Sequence, residues 1–301
     1  MRAQVRRPTV RGPIEGYAGV SPWLIGFAVF LAGPMIASLI LSFTNWRITT
    51  PPVWVGLDNY VKAFTGDANF WQAVRVTLTY TVLAVPLNLV GGLLLSLLLN
   101  QKLRGMNLFR TTFYLPVVLS GVAVSLMWMW LLQPEYGVVN SLLFLGGIEG
   151  PKWFWDPDTA LFSIVLMNLW RVGGSAIIYL AGLQNIPPHL YEAAALDGAG
   201  NLRKFWHVTL PMLTPTLLFQ LVIEMIDAIQ VFTAAYVITD GGPVRSTLFY
   251  LLHMYRTAFN DFEMGYASAL AWLLGAGILG LTALIFKSSP MWVYYEAEVK
   301  G

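Results

Sequence analysis

Six long apolar runs most constrain what this chain can fold into. A helix needs about 20 largely apolar residues to cross a bilayer, because it rises about 1.5 Å per residue through about 30 Å of hydrocarbon. Backbone groups find no partner in lipid, so each run must be helical or buried. The runs of this length are Ser21–Phe43, Thr77–Leu99, Phe113–Leu132, Ala160–Leu180, Leu213–Ile238 and Met264–Phe286. The sequence therefore predicts an all-α membrane protein with six transmembrane helices.

Charges are scarce in this chain, which supports a membrane location. Charged residues make up 11% of the sequence and hydrophobic residues 56%, whereas a soluble domain carries about 25% charged residues. A net charge of +2 is too small to indicate a nucleic-acid partner, and the absence of cysteine excludes disulfides and thiolate metal sites. The histidines, His189, His207 and His253, lack the spacing of a metal site. We therefore expect a lipid bilayer as the surroundings, and no metal, cofactor or catalytic residue.

The distribution of Lys and Arg predicts the orientation, because cytoplasmic loops are enriched in these residues. With the N-terminus inside, the basic residues of the cytoplasmic side are Arg2, Arg6, Arg7, Arg11, Lys102, Arg104, Arg110, Arg203, Lys204, Lys287 and Lys300. Those of the outer side are fewer: Arg47, Lys62, Arg75, Lys152, Arg245 and Arg256. We therefore expect both termini inside, with a cytoplasmic tail at 1–20, one transmembrane domain at 21–287 and a second cytoplasmic tail at 288–301.

One cytoplasmic connection, at about 184–210, carries structural signals of its own. The pair Pro187-Pro188 suits the start of a helix, where a missing N–H has no cost. Leu190–Leu196 then predicts a short helix. Gly198 ends it, because glycine adopts the positive-φ conformation found at helix C-termini.

The same connection predicts a second short helix, capped by Asn201 and ending before Pro211. The result is two short helices folded about a glycine turn, with an Ala-rich surface that another protein's backbone can approach closely. From this pattern alone, an interfacial helix that only touches lipid headgroups is an equal alternative.

The segment Glu192-Ala193-Ala194, with Asp197-Gly198-Ala199 and Leu210-Pro211 after it, resembles the EAA signature of binding-protein-dependent ABC importer permeases. Further segments resemble the maltose and glycerol-phosphate permease group: Gly56-Leu57-Asp58-Asn59-Tyr60, Arg104-Gly105, Phe109-Arg110, Leu115-Pro116 and Thr239-Asp240-Gly241-Gly242-Pro243. The chain therefore resembles a sugar-type permease of the maltose-transporter first-subunit kind, a six-span form of the type I ABC importer permease fold.

This resemblance implies import of a carbohydrate, a sugar or oligosaccharide, across a bacterial or archaeal plasma (inner) membrane. The implied partners are a second homologous permease subunit, two ATP-binding cassette ATPase subunits and an extracytoplasmic solute-binding protein. The chain has no GxxxxGK[ST] phosphate loop, so a partner must hydrolyse the ATP. The residues implied in docking to the ATPase are Glu192, Ala193, Ala194, Asp197 and Gly198.

Polar side chains inside two of the apolar runs mark a candidate solute path, since charges at membrane depth are costly and face a cavity or one another. Glu224 and Asp227 in span five are three residues apart and share a helical face. Asn168 and Arg171 have the same spacing in span four, and Ser175 lies one turn further on. Such a stripe can line a path. The alternative is a structural ion pair between Arg171 and one of the two carboxylates.

The resemblance also bears on this path. When the chain is aligned with the maltose-transporter protein, Asn168 matches a sugar contact, and Glu224 and Ala228 fall at positions of sugar-contacting polar residues. Arg171 and Ser175 occupy further contact positions with different side chains. These departures argue against maltose itself and leave glycerol phosphate, an acidic sugar or another small polar solute open.

Two other functions are compatible with the carboxylates in span five. An ion-coupled secondary transporter would use Glu224 and Asp227 as proton or cation carriers, although the EAA-like loop then has no explanation. A membrane-embedded enzyme would use them as acid and base.

Overall fold

The computed structural model describes residues 13–101 and 103–294, and their regular structure is almost entirely helical. The α-helices are α1 (Pro13–Phe27), α2 (Gly33–Leu41), α3 (Asp58–Val61), α4 (Ala68–Leu99), α5 (Met106–Val118), α6 (Gly121–Leu131), α7 (Val138–Leu145), α8 (Pro157–Leu169), α9 (Gly173–Gln184), α10 (Pro188–Leu196), α11 (Asn201–Lys204), α12 (Leu210–Ile229), α13 (Tyr250–Phe259) and α14 (Met264–Ser288). Two short strands, β1 (Thr44–Asn45) and β2 (Val53–Trp54), pair antiparallel, with Thr44 opposite Trp54.

Four continuous helical segments in the described residues are long and apolar enough to cross a membrane: Tyr17–Leu41, Ala68–Leu99, Asn201–Ile229 and Met264–Met291. Two further candidates are broken. α5 and α6 meet at a bend of 99°, and α8 and α9 at a bend of 46°. If each bent pair counts as one span, the described residues supply the six spans that the sequence predicts.

Several spans differ in extent or shape from the sequence prediction. α4 begins at Ala68 rather than Thr77, because the Asp67 carboxylate accepts a hydrogen bond from the Asn69 N–H at 2.8 Å and caps the helix earlier. α12 ends at Ile229 rather than continuing to Ile238. The third span is not one straight helix, because the backbone between α5 and α6 is extended at Leu119 and Ser120.

The second helix of the cytoplasmic connection is longer than the sequence predicts. Gly200, not Asn201, occupies the N-cap, and the helix continues past Pro211 to Ile229. A π-helical turn at Phe205–Thr209 separates α11 from α12, and the Leu210 N–H bonds to the Phe205 carbonyl. This wider turn directly precedes the proline, so the missing N–H and the proline ring are accommodated without ending the helix. The prediction of a helix ending before Pro211 is therefore wrong.

α4 is the central helix of the bundle and packs against α8, α9, α12 and α13. Close packing depends on glycine at Gly92, where a Cβ would lie 2.9 Å from the Ser175 Cβ. It depends more strongly on Gly173, where a Cβ would lie 1.9 Å from the Phe113 carbonyl oxygen of α5. Small residues of this kind let membrane helices approach each other closely.

A buried polar cluster fastens the start of α4 to α13 and α14. The Asp67 Oδ2 accepts hydrogen bonds from His253 Nε2 at 2.8 Å and from the Tyr266 hydroxyl at 2.7 Å. Burial raises the pKa of Asp67, but the hydrogen bonds from Tyr266 and Asn69 and the charge of His253 outweigh it, so the pKa lies below its ordinary value. We call Asp67, His253 and Tyr266 the Asp67 cluster.

The predicted tails fall only partly within the described residues, since 1–12 and 295–301 lie outside them. Several basic residues that predict the orientation also lie outside: Arg2, Arg6, Arg7, Arg11, Lys102 and Lys300. The described part of the second tail folds back on α12. The Tyr294 N–H donates to the Thr214 hydroxyl at 2.8 Å, and Val293 is buried.

Candidate functional site

A polar cavity of about 560 Å³ lies among α4, α6, α8, α9 and α12. The structure places every residue of the predicted solute path in its lining: Asn168, Arg171, Ser175, Glu224, Asp227 and Ala228. Charged and amide groups in an apolar bundle are costly unless they face a cavity or a partner. The apolar runs of spans four and five therefore contribute their polar side chains to one shared cavity.

The break between α8 and α9 determines how span four lines this cavity. The Arg171 N–H bonds to the Asn168 carbonyl at 2.9 Å, and the Val172 N–H to the Leu169 carbonyl at 3.2 Å, so the chain turns tightly here. Asn168 ends up in the last turn of α8 and Ser175 in the first turn of α9. The prediction of one continuous helical stripe in span four is wrong: a broken helix with Arg171 in the turn brings these residues together.

The Arg171 guanidinium forms no ion pair with another described residue. Its Nη2 lies 3.5 Å from the Val117 carbonyl oxygen, at the limit of a hydrogen bond. The ion pairs found in residues 13–101 and 103–294 join other side chains, so neither Glu224 nor Asp227 comes within 4.0 Å of this guanidinium. The alternative of a structural ion pair between spans four and five is therefore absent from the structure.

Glu224 is joined to span four by a different contact. The Ser175 hydroxyl donates to the Glu224 Oε1 at 2.5 Å, linking α9 to α12. Glu224 is half-buried, Asp227 is exposed and Ala228 is buried. Glu224 and Asp227 line the same cavity, as their spacing predicts. The pair of carboxylates thus offers hydrogen-bond acceptors at two depths of burial.

The sequence analysis missed two amides in the cavity lining, Asn88 of α4 and Gln220 of α12. Both are buried; Gln220 is only 2% exposed, and its Oε1 has no hydrogen-bond partner. Gln220 lies four residues before Glu224, which places the two on one helical face. A single polar residue in an apolar run, at helical spacing from a charged one, was the signal available in the sequence.

The connection at 184–210, which the sequence analysis predicts to be cytoplasmic, is a separate candidate site. α10 begins at Pro188, as predicted, and Gly198 has a φ of +74°. The Ala199 N–H bonds back to the Ala194 carbonyl at 2.9 Å, which closes the glycine turn at the helix end. α10 buries none of its residues, and Leu196 is 90% exposed. The predicted docking residues therefore lie on a surface that nothing in the described chain covers.

This connection is joined to the cavity by one continuous helix. The Tyr191 hydroxyl of α10 lies 3.0 Å from the Thr209 hydroxyl. From Asn201 the chain is helical through the π turn to Ile229, past Glu224 and Asp227. A displacement of the connection therefore has a direct mechanical route to the two carboxylates.

Comparisons with known proteins agree on one family. Residues 89–289 match the family model described as "Binding-protein-dependent transport system inner membrane component". The chain is 45% identical to the "Probable ABC transporter permease protein YesP" of Bacillus subtilis (strain 168), over 95% of this chain and 93% of YesP. It is 34% identical to the "Sulfoquinovosyl glycerol transport system permease protein SmoG" of Agrobacterium fabrum, over 89% and 88% of the two chains.

A solved structure agrees with these sequence matches. The chain superposes with a TM-score of 0.82, at 27% identity and over 92% of this chain and 96% of the other, on a chain of a bacterial ABC transporter involved in the import of the acidic polysaccharide alginate.

Proposed function

Because the chain belongs to the family of inner-membrane components of binding-protein-dependent transport systems, we propose that it is the channel-forming permease subunit of an ATP-driven carbohydrate importer. The observation that carries this function is the polar cavity in the helix bundle. Carbohydrates present many hydroxyls, and the cavity lining supplies amide, carboxylate and guanidinium groups that pair with them. Its volume of about 560 Å³ falls within the range of about 300–1,000 Å³ for ligand sites.

Relatives support a carbohydrate as the solute. Two proteins that this chain resembles are described as a sulfoquinovosyl glycerol transport system permease and as part of a transporter involved in the import of alginate. Asn168, Arg171, Ser175, Glu224, Asp227 and Ala228 would line the solute path. Glycerol phosphate or another small polar solute, carried by the same mechanism, is the runner-up.

ATP hydrolysis would take place on a partner, since the sequence contains no phosphate-binding GxxxxGK[ST] loop. The assembly would contain a second homologous permease, two ATPase subunits and an extracytoplasmic solute-binding protein, in a bacterial or archaeal inner membrane. The docking surface for the ATPase would be formed by Glu192, Ala193, Ala194, Asp197 and Gly198. Small side chains there allow close backbone approach, and the continuous helix from Asn201 supplies a path for the motion.

Reconstitution tests the proposed function. The assembled complex in proteoliposomes is expected to take up a labelled oligosaccharide only with ATP on the ATPase side and loaded binding protein on the other. Uptake by this chain alone under a proton gradient would instead support ion coupling through Glu224 and Asp227. Turnover of a lipid or glycan substrate would support the enzyme alternative.

Orientation is tested by single cysteines, which the natural sequence lacks. With both termini inside, cysteines at Glu149 and Asp261 should react with an impermeant thiol reagent from outside, and those at Gln101 and Asn201 should not. All four positions are exposed, so access to the aqueous side decides the result. The opposite labelling pattern would reverse the orientation and remove the docking surface from the ATPase side.

A further inference from the structure

Arg171 brings a positive charge into the cavity, and no carboxylate of the described residues lies within 4.0 Å of its guanidinium. Glu224, one of the two partners that the sequence analysis considers, instead accepts a hydrogen bond from the Ser175 hydroxyl at 2.5 Å. Within residues 13–101 and 103–294, the guanidinium makes a single hydrogen bond, the long one to the Val117 carbonyl oxygen. An arginine presents five N–H donors in a planar fork that matches a planar anion. Most of these donors therefore have no partner in the part of the chain that the structure describes.

The backbone beside Arg171 adds to this positive charge. α9 begins at Gly173, and its first turn, with Gly174 and Ser175, lines the cavity. The start of a helix carries a partial positive charge and attracts anions. Gln220 adds a buried amide side chain to this lining, and its Oε1 has no hydrogen-bond partner among the described residues.

The charges of the lining limit which anion fits. Arg171 is the single basic residue of the lining, and Glu224 and Asp227 are its acidic residues. With two carboxylates in the same lining, an anion is attracted only where it contacts the guanidinium directly, and a phosphate dianion meets stronger repulsion from Glu224 and Asp227 than a singly charged group does. A carboxylate or a sulfonate carries one charge and offers oxygens to the guanidinium fork.

Resting on the proposed function, we propose that the transported sugar carries a singly charged acidic group, which Arg171 binds. The turn between α8 and α9 places Arg171 in the cavity lining. Glu224 and Asp227, which line the same cavity, then accept hydrogen bonds from sugar hydroxyls. Both the acid group and the hydroxyls of one sugar are thereby recognised.

Direct binding to the purified assembled transporter tests this inference without the binding protein. The probes are galacturonate for a carboxylate, sulfoquinovosyl glycerol for a sulfonate, galacturonate methyl ester as the neutral counterpart, and glycerol 3-phosphate as the dianion. We expect one of the two singly charged sugars to bind at least about tenfold more tightly than the ester and the phosphate, which equals about 1.4 kcal/mol. The tighter of the two identifies the acid group.

Variants locate the effect at Arg171. Arg171→Gln should remove the preference for the acidic sugar over the neutral ester, and Arg171→Lys should restore part of it, because a lysine keeps the charge and loses the fork. Arg75→Gln is the matched control, since Arg75 is an exposed arginine outside the cavity lining. Co-purification with the ATPase and its basal ATP hydrolysis show that each variant is assembled.

Three outcomes would overturn the inference. The neutral ester or glycerol 3-phosphate could bind as tightly as the acidic sugars, Arg171→Gln could keep the preference, or none of the probes could bind. The proposed function is tested separately by ATP-dependent uptake of an oligosaccharide, so a neutral preference with intact uptake would reject the acidic solute alone.

Discussion

The cavity and the Asp67 cluster both place polar groups between helices, but they differ in how those groups are satisfied. In the cluster, Asp67 accepts hydrogen bonds from His253, Tyr266 and the Asn69 backbone. In the cavity, the described residues supply no carboxylate partner for Arg171 and no hydrogen-bond partner for the buried Gln220 Oε1. Buried polar groups in proteins are normally hydrogen-bonded. The cluster therefore has the character of a structural fastening, and the cavity that of a site completed by a ligand.

The largest effect, a loss of stability, is expected from a substitution that disrupts the Asp67 cluster. Asp67→Ala removes the cap of α4 and leaves His253 without its carboxylate, so the free energy of unfolding should fall by about 3–5 kcal/mol. Thermal unfolding in detergent measures this. Uptake per folded complex should stay close to that of the natural protein.

The matched control for this variant is Asp261→Ala, because Asp261 is exposed. Its unfolding should change by less than about 0.5 kcal/mol. Equal stability losses in the two variants would contradict a structural role for the cluster.

The second prediction concerns the cavity, where we expect uptake to be lost and stability to be kept. Arg171→Met combined with Glu224→Met should leave assembly intact, because no ion pair joins these residues. Uptake should fall at least about 100-fold, or about 2.7 kcal/mol, since two charged hydrogen-bonding groups are lost from the path. Transport and thermal unfolding are measured on the same preparation.

Normal uptake by this double variant would remove both residues from the solute path. Its ATPase should still respond to loaded binding protein, which separates loss of the path from loss of coupling.

Substitutions in the connection at 184–210 should lower transport without unfolding the bundle, as those in the cavity do, because one continuous helix joins the two regions. Gly198→Val strains a φ of +74° by about 1–2 kcal/mol, and an added Cβ would touch nothing within 4 Å. The effect is therefore confined to the turn. Uptake and ATPase stimulation should fall about tenfold while the transmembrane bundle stays folded.

Gly200→Val is the matched control two residues away. Gly200 has a φ of −72° and also has open space around its Cβ position, so transport should be nearly normal. Equal losses in Gly198→Val and Gly200→Val would show that bulk, rather than the left-handed turn, causes the defect.

A smaller effect is expected from a charge reversal on the docking surface. Glu192→Lys should weaken association with the ATPase several-fold, by about 1 kcal/mol, without changing thermal unfolding, because Glu192 is exposed. Co-purification at several salt concentrations measures it. Glu149→Lys is the control, and an equal loss in both would point to net charge alone.

The smallest expected effect is on the pH dependence of stability. The pKa of Asp67 is lower in the folded chain than in the unfolded one. The resulting stability is present above the unfolded pKa of about 3.9 and is lost as the pH falls through the lower folded pKa. Thermal unfolding of the natural protein should therefore lose this contribution below about pH 4.

The comparison variant for this prediction is Asp67→Asn, which cannot titrate. Its unfolding temperature should approach that of the natural protein as the pH falls below about 4. A constant difference between the two proteins across that range would contradict the lowered pKa of Asp67.

The local properties of the sequence were sufficient to predict the spans, two features of the connection at 184–210 and one polar helix face. The apolar runs predict the spans, since the length of hydrocarbon to be crossed does not depend on neighbouring helices. The start of α10 at Pro188 and the positive φ of Gly198 follow from the conformational limits of proline and glycine. The shared face of Glu224 and Asp227 follows from helical spacing.

Only the tertiary structure decided how those parts meet. Span four breaks at Arg171, where Gly173 lets α9 approach the Phe113 carbonyl. The helix that contains α11 and α12 instead continues through Pro211, because a π turn precedes the proline. It also decided that Ser175, rather than Arg171, contacts Glu224. These choices depend on contacts between residues far apart in the chain, where the packing of one helix against another outweighs the local preference of any single residue.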